Sequence, residues 1–229
     1  MRKTVIFLDA VGTLFGVKDS VGHAYSTIAQ EFGLVCEPRR LDQAFRQVFA
    51  QSPSMVFPHL EATELLEAEY QWWQEIALKT FAKTGYLQEI QDFPKFFARL
   101  FNYFAGAQPW FIYADTLPAL ESWLAQGYEL GIISNFDSRL FLVLAELHLR
   151  DYFRSITIST EACSAKPDSQ IFRTALAKHD PSGQFFHIGD SYEEDYQGAC
   201  GAGLQGIWLD RDGQSPMAHI RLLTEFQPY

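Results

Sequence analysis

The sequence predicts an α/β fold: a Rossmann-like parallel sheet interrupted, soon after its first strand, by an inserted all-helical cap. Three observations carry this prediction. From residue 112 onward short apolar runs alternate with helix-period segments, and strands alternating with helices imply right-handed crossovers and a parallel sheet covered on both faces. A single apolar run, Thr4 to Asp9, stands apart near the start, while residues 17 to 111 show successive helical patterns and no convincing strand. The length, 229 residues, lies between one average domain and two, which suits a core with an insertion. The predicted division is a core of residues 1–16 and 112–229 and a helical cap of residues 17–111.

Each element has its own signal. Thr4 to Asp9 reads as the first strand. Thr116 to Gln126 reads as a helix, with Asp115 or Thr116 able to accept its first free amide protons and Gly127 placed to end it. Glu129 to Ser134 is a short apolar strand. Asp137 to Leu149 is a helix whose face carries Leu140, Phe141, Leu144, Leu147 and His148. Strands are predicted at Ser155–Ser159, Gln184–Gly189 and Gly206–Leu209, and helices at Asp168–Lys178 and Tyr192–Ala202. Within the insert the clearest helix carries Phe93, Phe96, Phe97, Leu100, Phe101 and Phe104, spaced i, i+3, i+4, i+7, i+8 and i+11. Such a stripe is read as packing between helices rather than as an aromatic ligand cage. The adjacent Trp72 and Trp73 cannot both face one side of a helix.

Composition narrows the partners. With 48% hydrophobic and 20% charged residues the chain can bury a large core. Lys+Arg 18 against Asp+Glu 28 gives a net charge of −10, the wrong sign for an electrostatic footprint on nucleic acid or an anionic membrane. The expected partner is a small molecule. Cys36, Cys163 and Cys200 lie far apart, in neither a CxxC pair nor a metal spacing, and read as free thiols. Asp9 breaks the apolar run that follows Met1-Arg2-Lys3, so a signal peptide is not expected, and no run reaches the length of a membrane span. The expected location is cytoplasmic. The sequence carries no signal for an oligomeric state.

Ligands of open parallel sheets bind beyond the carboxyl ends of the strands. There the sequence places Asp9 with Val11-Gly12-Thr13 after it, Ser134-Asn135, Lys166-Pro167, and Asp190 with Asp195 beyond it. This set suits a phosphoryl-like group. Asp9 and Asp190 can hold a hard cation such as Mg²⁺. Lys166 offsets the crowding of negative charge, Ser134 can donate to a phosphoryl oxygen, and the Gly12-Thr13 turn can present backbone N–H groups to another. Asp9 is placed as an in-line nucleophile. Taken singly, each residue has a plainer reading: a turn or cap residue for the aspartates, a turn for Ser134-Asn135, a solvated helix start for Lys166. Four such segments in order at successive strand ends make coincidence a poor explanation.

These segments resemble the haloacid dehalogenase superfamily of hydrolases. The matching residues are Leu8-Asp9-Ala10-Val11-Gly12-Thr13-Leu14, Ile132-Ile133-Ser134-Asn135, Ala165-Lys166-Pro167-Asp168 with Ile171-Phe172, and Ile188-Gly189-Asp190 through Asp195. Longer stretches, Gly131 to Leu140 and Gly189 to Gly198, are similar to its REG-2-like subgroup. The resemblance implies a nucleophile at Asp9, phosphate contacts from Ser134 and Lys166, and Mg²⁺ held by Asp9, Asp190 and the backbone carbonyl of Val11, with Asp195 supporting the metal site. Asn135, Gly12 and Thr13 are expected to help hold the phosphate.

One departure is informative. Phosphatases of this superfamily carry a second Asp two residues after the nucleophile as general acid and base, and here that position is Val11. General acid–base catalysis contributes about 10²- to 10⁴-fold, so weak or specialised phosphatase activity is expected. Related enzymes that cleave carbon–halogen or carbon–phosphorus bonds also lack that Asp. The former do not use Mg²⁺, however, and the latter need a cap lysine, for which only Lys79 and Lys83 stand in the middle of the insert. Their i, i+4 spacing reads as a solvated helix face. A binding protein on an old enzyme scaffold is the remaining alternative.

Overall fold

The computed structural model describes residues 3–58 and 60–228. The chain divides into two compact units, Met1–Gly16 with Ile112–Tyr229, and Val17–Phe111. Strands β1 (Thr4–Leu8), β4 (Glu129–Ser134), β5 (Ser155–Ile158), β6 (Gln184–Gly189) and β7 (Gln205–Trp208) form one parallel sheet in the order β5-β4-β1-β6-β7. Strands β4 and β5 are buried on both faces almost throughout, as a sheet flanked by helices requires. Helices α5 (Thr116–Ala125), α6 (Arg139–Glu146), α7 (Ser159–Ala162), α8 (Ser169–Leu176) and α9 (Gly198–Gly201) alternate with these strands. One core cluster joins Val5, Phe7 and Ile133 of the sheet to Ile171, Phe172 and Ala175 of α8.

Three local differences from the sequence reading have physical causes. Strands β2 (Phe15–Val17) and β3 (Trp110–Ile112) pair in a small two-stranded sheet where no strand is expected. Three residues are too few to display a period of two. The helix expected from Asp137 begins at Arg139 instead, because the buried Asp137 carboxylate accepts from the Arg139 amide at 2.9 Å and pairs with its guanidinium through Nε at 2.9 Å and Nη2 at 2.6 Å. The helix expected over Tyr192–Ala202 opens as a π-helical turn, Tyr192–Gln197, before α9. There the Asp195 and Tyr196 amides both donate to the Ser191 carbonyl, at 3.0 and 3.2 Å, and such wide turns cluster at functional sites.

The second unit is helical: α1 (Val21–Glu31), α2 (Pro38–Ala50), α3 (Ala62–Thr84) and α4 (Phe93–Tyr103). Ser20, Glu37 and Asp92 cap α1, α2 and α4 by accepting from backbone amides, a reciprocal Glu61–Glu64 pair caps α3, and Gly85 at φ +78° ends it. The phenylalanine stripe faces inward. Phe96, Phe97 and Leu100 are buried with Tyr25, Ile28, Ala77 and Phe81, while Phe93, Phe101 and Phe104 pack around them. Each such ring contributes about 1.5–3 kcal/mol by leaving water. Trp72 and Trp73 both pack on Phe49, with ring centroids 6.0 Å away in each case. Among the described residues, no helix is long and apolar enough to cross a membrane.

Candidate active site

Sheet register sets the heights of the strand-end residues. Leu8 lies level with Ile132 on β4 and Ile188 on β6. Asp9 therefore leaves the sheet between those two strands, with Ser134 and Asp190 one residue further along, and its amide donates to the Ile188 carbonyl at 2.9 Å. After β1 the chain builds outward to β4 and β5 on one side, and β6 and β7 lie on the other. That reversal opens the crevice where such sheets bind ligands.

Lys166 reaches into the crevice from the loop after α7 and is almost wholly buried. Its Nζ donates to Asp9 Oδ1 at 2.7 Å and to Asp195 Oδ1. Asp195 Oδ1 also meets His187 Nε2 at 2.9 Å, and its Oδ2 accepts from the Ser191 amide at 3.0 Å. Two glycines make room for the acids. A Cβ on Gly189 would overlap the Asp195 carboxyl, and one on Gly12, whose φ is +92°, would overlap that of Asp190. Among the described residues, Asp9, Asp190 and Asp195 can each offer an oxygen within 4.8 Å of the others.

The electrostatics follow from this crowding. Burial lifts the Asp9 carboxyl above its ordinary value against the pull of Lys166, and the negative Asp195 adds to the rise. Asp190 keeps an exposed face, yet the loss of water among the surrounding protein atoms and the nearby Asp9 and Asp195 push it up to about 7. Burial would raise Asp195 too, but Lys166 and the His187 hydrogen bond outweigh it and hold Asp195 well below the carboxylate range. Burial also works against the Lys166 ammonium; Asp195 and Asp9 overcome it and raise its pKa, so Lys166 stays protonated. Burial lowers His187, which keeps the imidazole neutral, with Nε2–H donating to Asp195.

The sequence-predicted residues do not all serve as expected. Asp9, Lys166, Asp190 and Asp195 come together, and Ser134 stands buried at the end of β4. The Gly12 and Thr13 amides, expected to face an anion, donate within their own turn, to Phe15 O at 2.8 Å and Ala10 O at 3.4 Å. The pair serves Asp190 instead: Gly12 gives it space and Thr13 Oγ1 lies 3.4 Å from its Oδ1. Asn135 is engaged by the Lys166 backbone and by Glu194. Its Oδ1 accepts from the Lys166 amide at 2.7 Å, and its Nδ2 donates to the Lys166 carbonyl at 3.0 Å and to Glu194 Oε2 at 3.1 Å. Asn135 thus clamps the backbone that carries Lys166. Val11 forms an isolated bridge with Phe15, partly exposed.

His187 is the residue the sequence hides. It sits inside the run Phe185-Phe186-His187-Ile188, which reads as plain core, and it packs edge-on against Phe172 with centroids 5.3 Å apart. Its contact with Asp195 depends on a turn that brings the acid back over the strand, which local patterning does not encode.

A buried lysine between two aspartates, with a third carboxylate beside them at the switch point of a parallel sheet, defines a hydrolase core of one particular lineage. The chain belongs to the haloacid dehalogenase-like hydrolase family, whose model matches residues 3–203. It is 33% identical to the haloacid dehalogenase-like hydrolase domain-containing protein 3 of Danio rerio over 222 residues, 94% of this chain and 90% of that one. Its fold is similar to that of the HAD-hydrolase YfnB from Bacillus subtilis, solved bound to magnesium (TM-score 0.67, 16% identity, 98% of this chain and 97% of that one). It is also similar to that of L-2-haloacid dehalogenase from Xanthobacter autotrophicus (TM-score 0.67, 19% identity, 93% and 80%).

Proposed function

We propose that the chain is a Mg²⁺-dependent, phosphatase-type hydrolase of a small phosphorylated molecule, with Asp9 as nucleophile and a weakened proton-transfer step. The observation that carries this reading is the buried Asp9–Lys166–Asp195 arrangement with Asp190 at its rim. The donor set fits the cation: three carboxylates crowd around one ammonium, so hard oxygen donors outnumber the positive charge beside them. Asp9, Asp190 and the Val11 carbonyl would hold Mg²⁺, with Asp195 in support, and the bound ion would supply positive charge beside the transferring group.

The chain's own residues do the rest. Asp9 Oδ attacks phosphorus and forms an aspartyl phosphate as the bond to the leaving oxygen breaks; water then attacks that phosphorus and restores the carboxylate. Lys166 draws the Asp9 carboxyl toward its ionised form, in part offsetting burial, and offers charge to the phosphoryl oxygens, which Ser134 can also reach with its hydroxyl. Asn135 and His187 hold Lys166 and Asp195 in place. Val11 has no proton for the leaving oxygen, so esters of acidic alcohols should be favoured over alkyl esters.

Val11 alone would equally suit carbon–halogen cleavage, the chemistry named for one structural relative. The third carboxylate at Asp190 supports the metal reading instead. Carbon–phosphorus cleavage through a cap lysine is less supported, since Lys79 pairs with Glu75 at 3.1 Å on an exposed helix face. The test is hydrolysis of p-nitrophenyl phosphate with Mg²⁺ or with EDTA. Turnover should require Mg²⁺ and vanish in Asp9→Asn; turnover that survives either change would refute the reading.

A further inference from the structure

Arg211 follows β7 in the segment Leu209-Asp210-Arg211-Asp212-Gly213. Its side chain is only 12% exposed, and each edge of the guanidinium is used. Nε donates to the Gly12 carbonyl at 3.1 Å, Nη2 to the Thr13 carbonyl, and Nη1 to Asp115 Oδ1 at 2.9 Å. The guanidinium carbon lies 3.8 Å from the centroid of the Tyr113 ring. Asp115 is fixed in turn, because its Oδ2 accepts from the Leu223 amide at 2.6 Å. The next carbonyl, that of Leu14, accepts from Thr116 Oγ1 at 2.7 Å and from the Tyr113 amide at 3.3 Å.

Three successive carbonyls of the turn that follows Asp9 are therefore held by side-chain and backbone donors. The same turn meets Asp190 through Gly12 and Thr13. The turn and Asp190 are close neighbours, since even a Cβ on Gly12 would overlap the Asp190 carboxyl, so a shift of the turn alters the surroundings of that acid. We propose that Arg211 is a positioning residue for the site, holding the turn so that Asp9, the Val11 backbone and Asp190 keep their mutual places. This role rests on the phosphatase reading above. It depends on the planar fork of arginine, which reads two carbonyls and a carboxylate at once while stacking on a ring; a lysine ammonium offers neither the fork nor the flat face.

The test compares R211K, which keeps the charge and most of the bulk, with R211A, which leaves a guanidinium-sized space. On p-nitrophenyl phosphate with Mg²⁺, R211K should lose about tenfold in kcat and R211A on the order of a hundredfold, with KM moving less than about threefold, as expected for a displacement of about 1 Å. Methylguanidinium added to R211A should restore part of the lost rate, a rescue that general loss of folding would not give. If R211A fails to fold, R211K decides alone. An R211K enzyme as fast as wild type, or an R211A loss that methylguanidinium leaves untouched, overturns the role of Arg211 while wild-type turnover keeps the phosphatase reading intact. If the wild-type chain neither hydrolyses the ester nor binds fluoroberyllate in the presence of Mg²⁺, the phosphatase reading falls and the role of Arg211 falls with it.

Discussion

In the helical insert the buried cluster is apolar, with aliphatic side chains packed among aromatic rings, and in the crevice of the core the buried side chains are mostly charged. Phe81, Phe96 and Phe97 meet other aromatic rings edge-on or stacked, so any of them can be exchanged for a similar apolar residue at modest cost. Around Lys166 each group is held against the cost of burial by its neighbours: Asp9 and Asp195 by the ammonium, Asp195 also by His187, Lys166 by both acids. Removing one member there leaves the others uncompensated. The insert is thus a tolerant packing problem, whereas the crevice is a charge balance in which geometry and chemistry cannot be separated.

Substitutions in the two regions should differ both in size and in what they disturb. Asp9→Asn should reduce Mg²⁺-dependent ester hydrolysis to the uncatalysed level while the protein stays folded by circular dichroism, because the amide keeps the shape and removes the nucleophile. Lys166→Met should lower stability in EDTA by about 3–5 kcal/mol in urea titrations, since two buried carboxylates lose their shared partner. Phe96→Ala should cost a comparable figure, about 3–5 kcal/mol, but hydrogen exchange should place the loosening among residues 17–111. A loosening centred on the core would break the contrast. The smallest effect belongs to Lys79→Ala, an exposed pair worth less than about 1 kcal/mol; a large loss of turnover there would revive a catalytic lysine in the insert.

Much of the core is legible in the sequence because its strands are short apolar runs that end in polar residues, and a parallel sheet collects those ends along one rim. The residues so collected, Asp9, Ser134, Lys166, Asp190 and Asp195, are the ones the motif order predicts. What stays hidden depends on hydrogen-bond partners distant in the chain. Gly12 and Asn135 read as ligand contacts, yet one makes room for Asp190 and the other clamps the backbone of Lys166. Arg211 lies where the sequence carries no motif, yet closes on carbonyls nearly two hundred positions away in sequence. His187 reads as core and is core, but its one polar contact falls on the acid beside the site. The insert gives up its helices readily, through caps and the phenylalanine stripe, but no side chain there carries a chemical signature.

If a phosphoryl group is transferred here with no proton donor at position 11, Val11→Asp should reveal it when assayed with Mg²⁺ on an alkyl phosphate and on p-nitrophenyl phosphate side by side. The alkyl ester should gain about 10²-fold or more and the aryl ester, whose leaving group needs no proton, much less. No gain on the alkyl ester, or an equal gain on both, would show that a missing proton donor at position 11 does not limit the site.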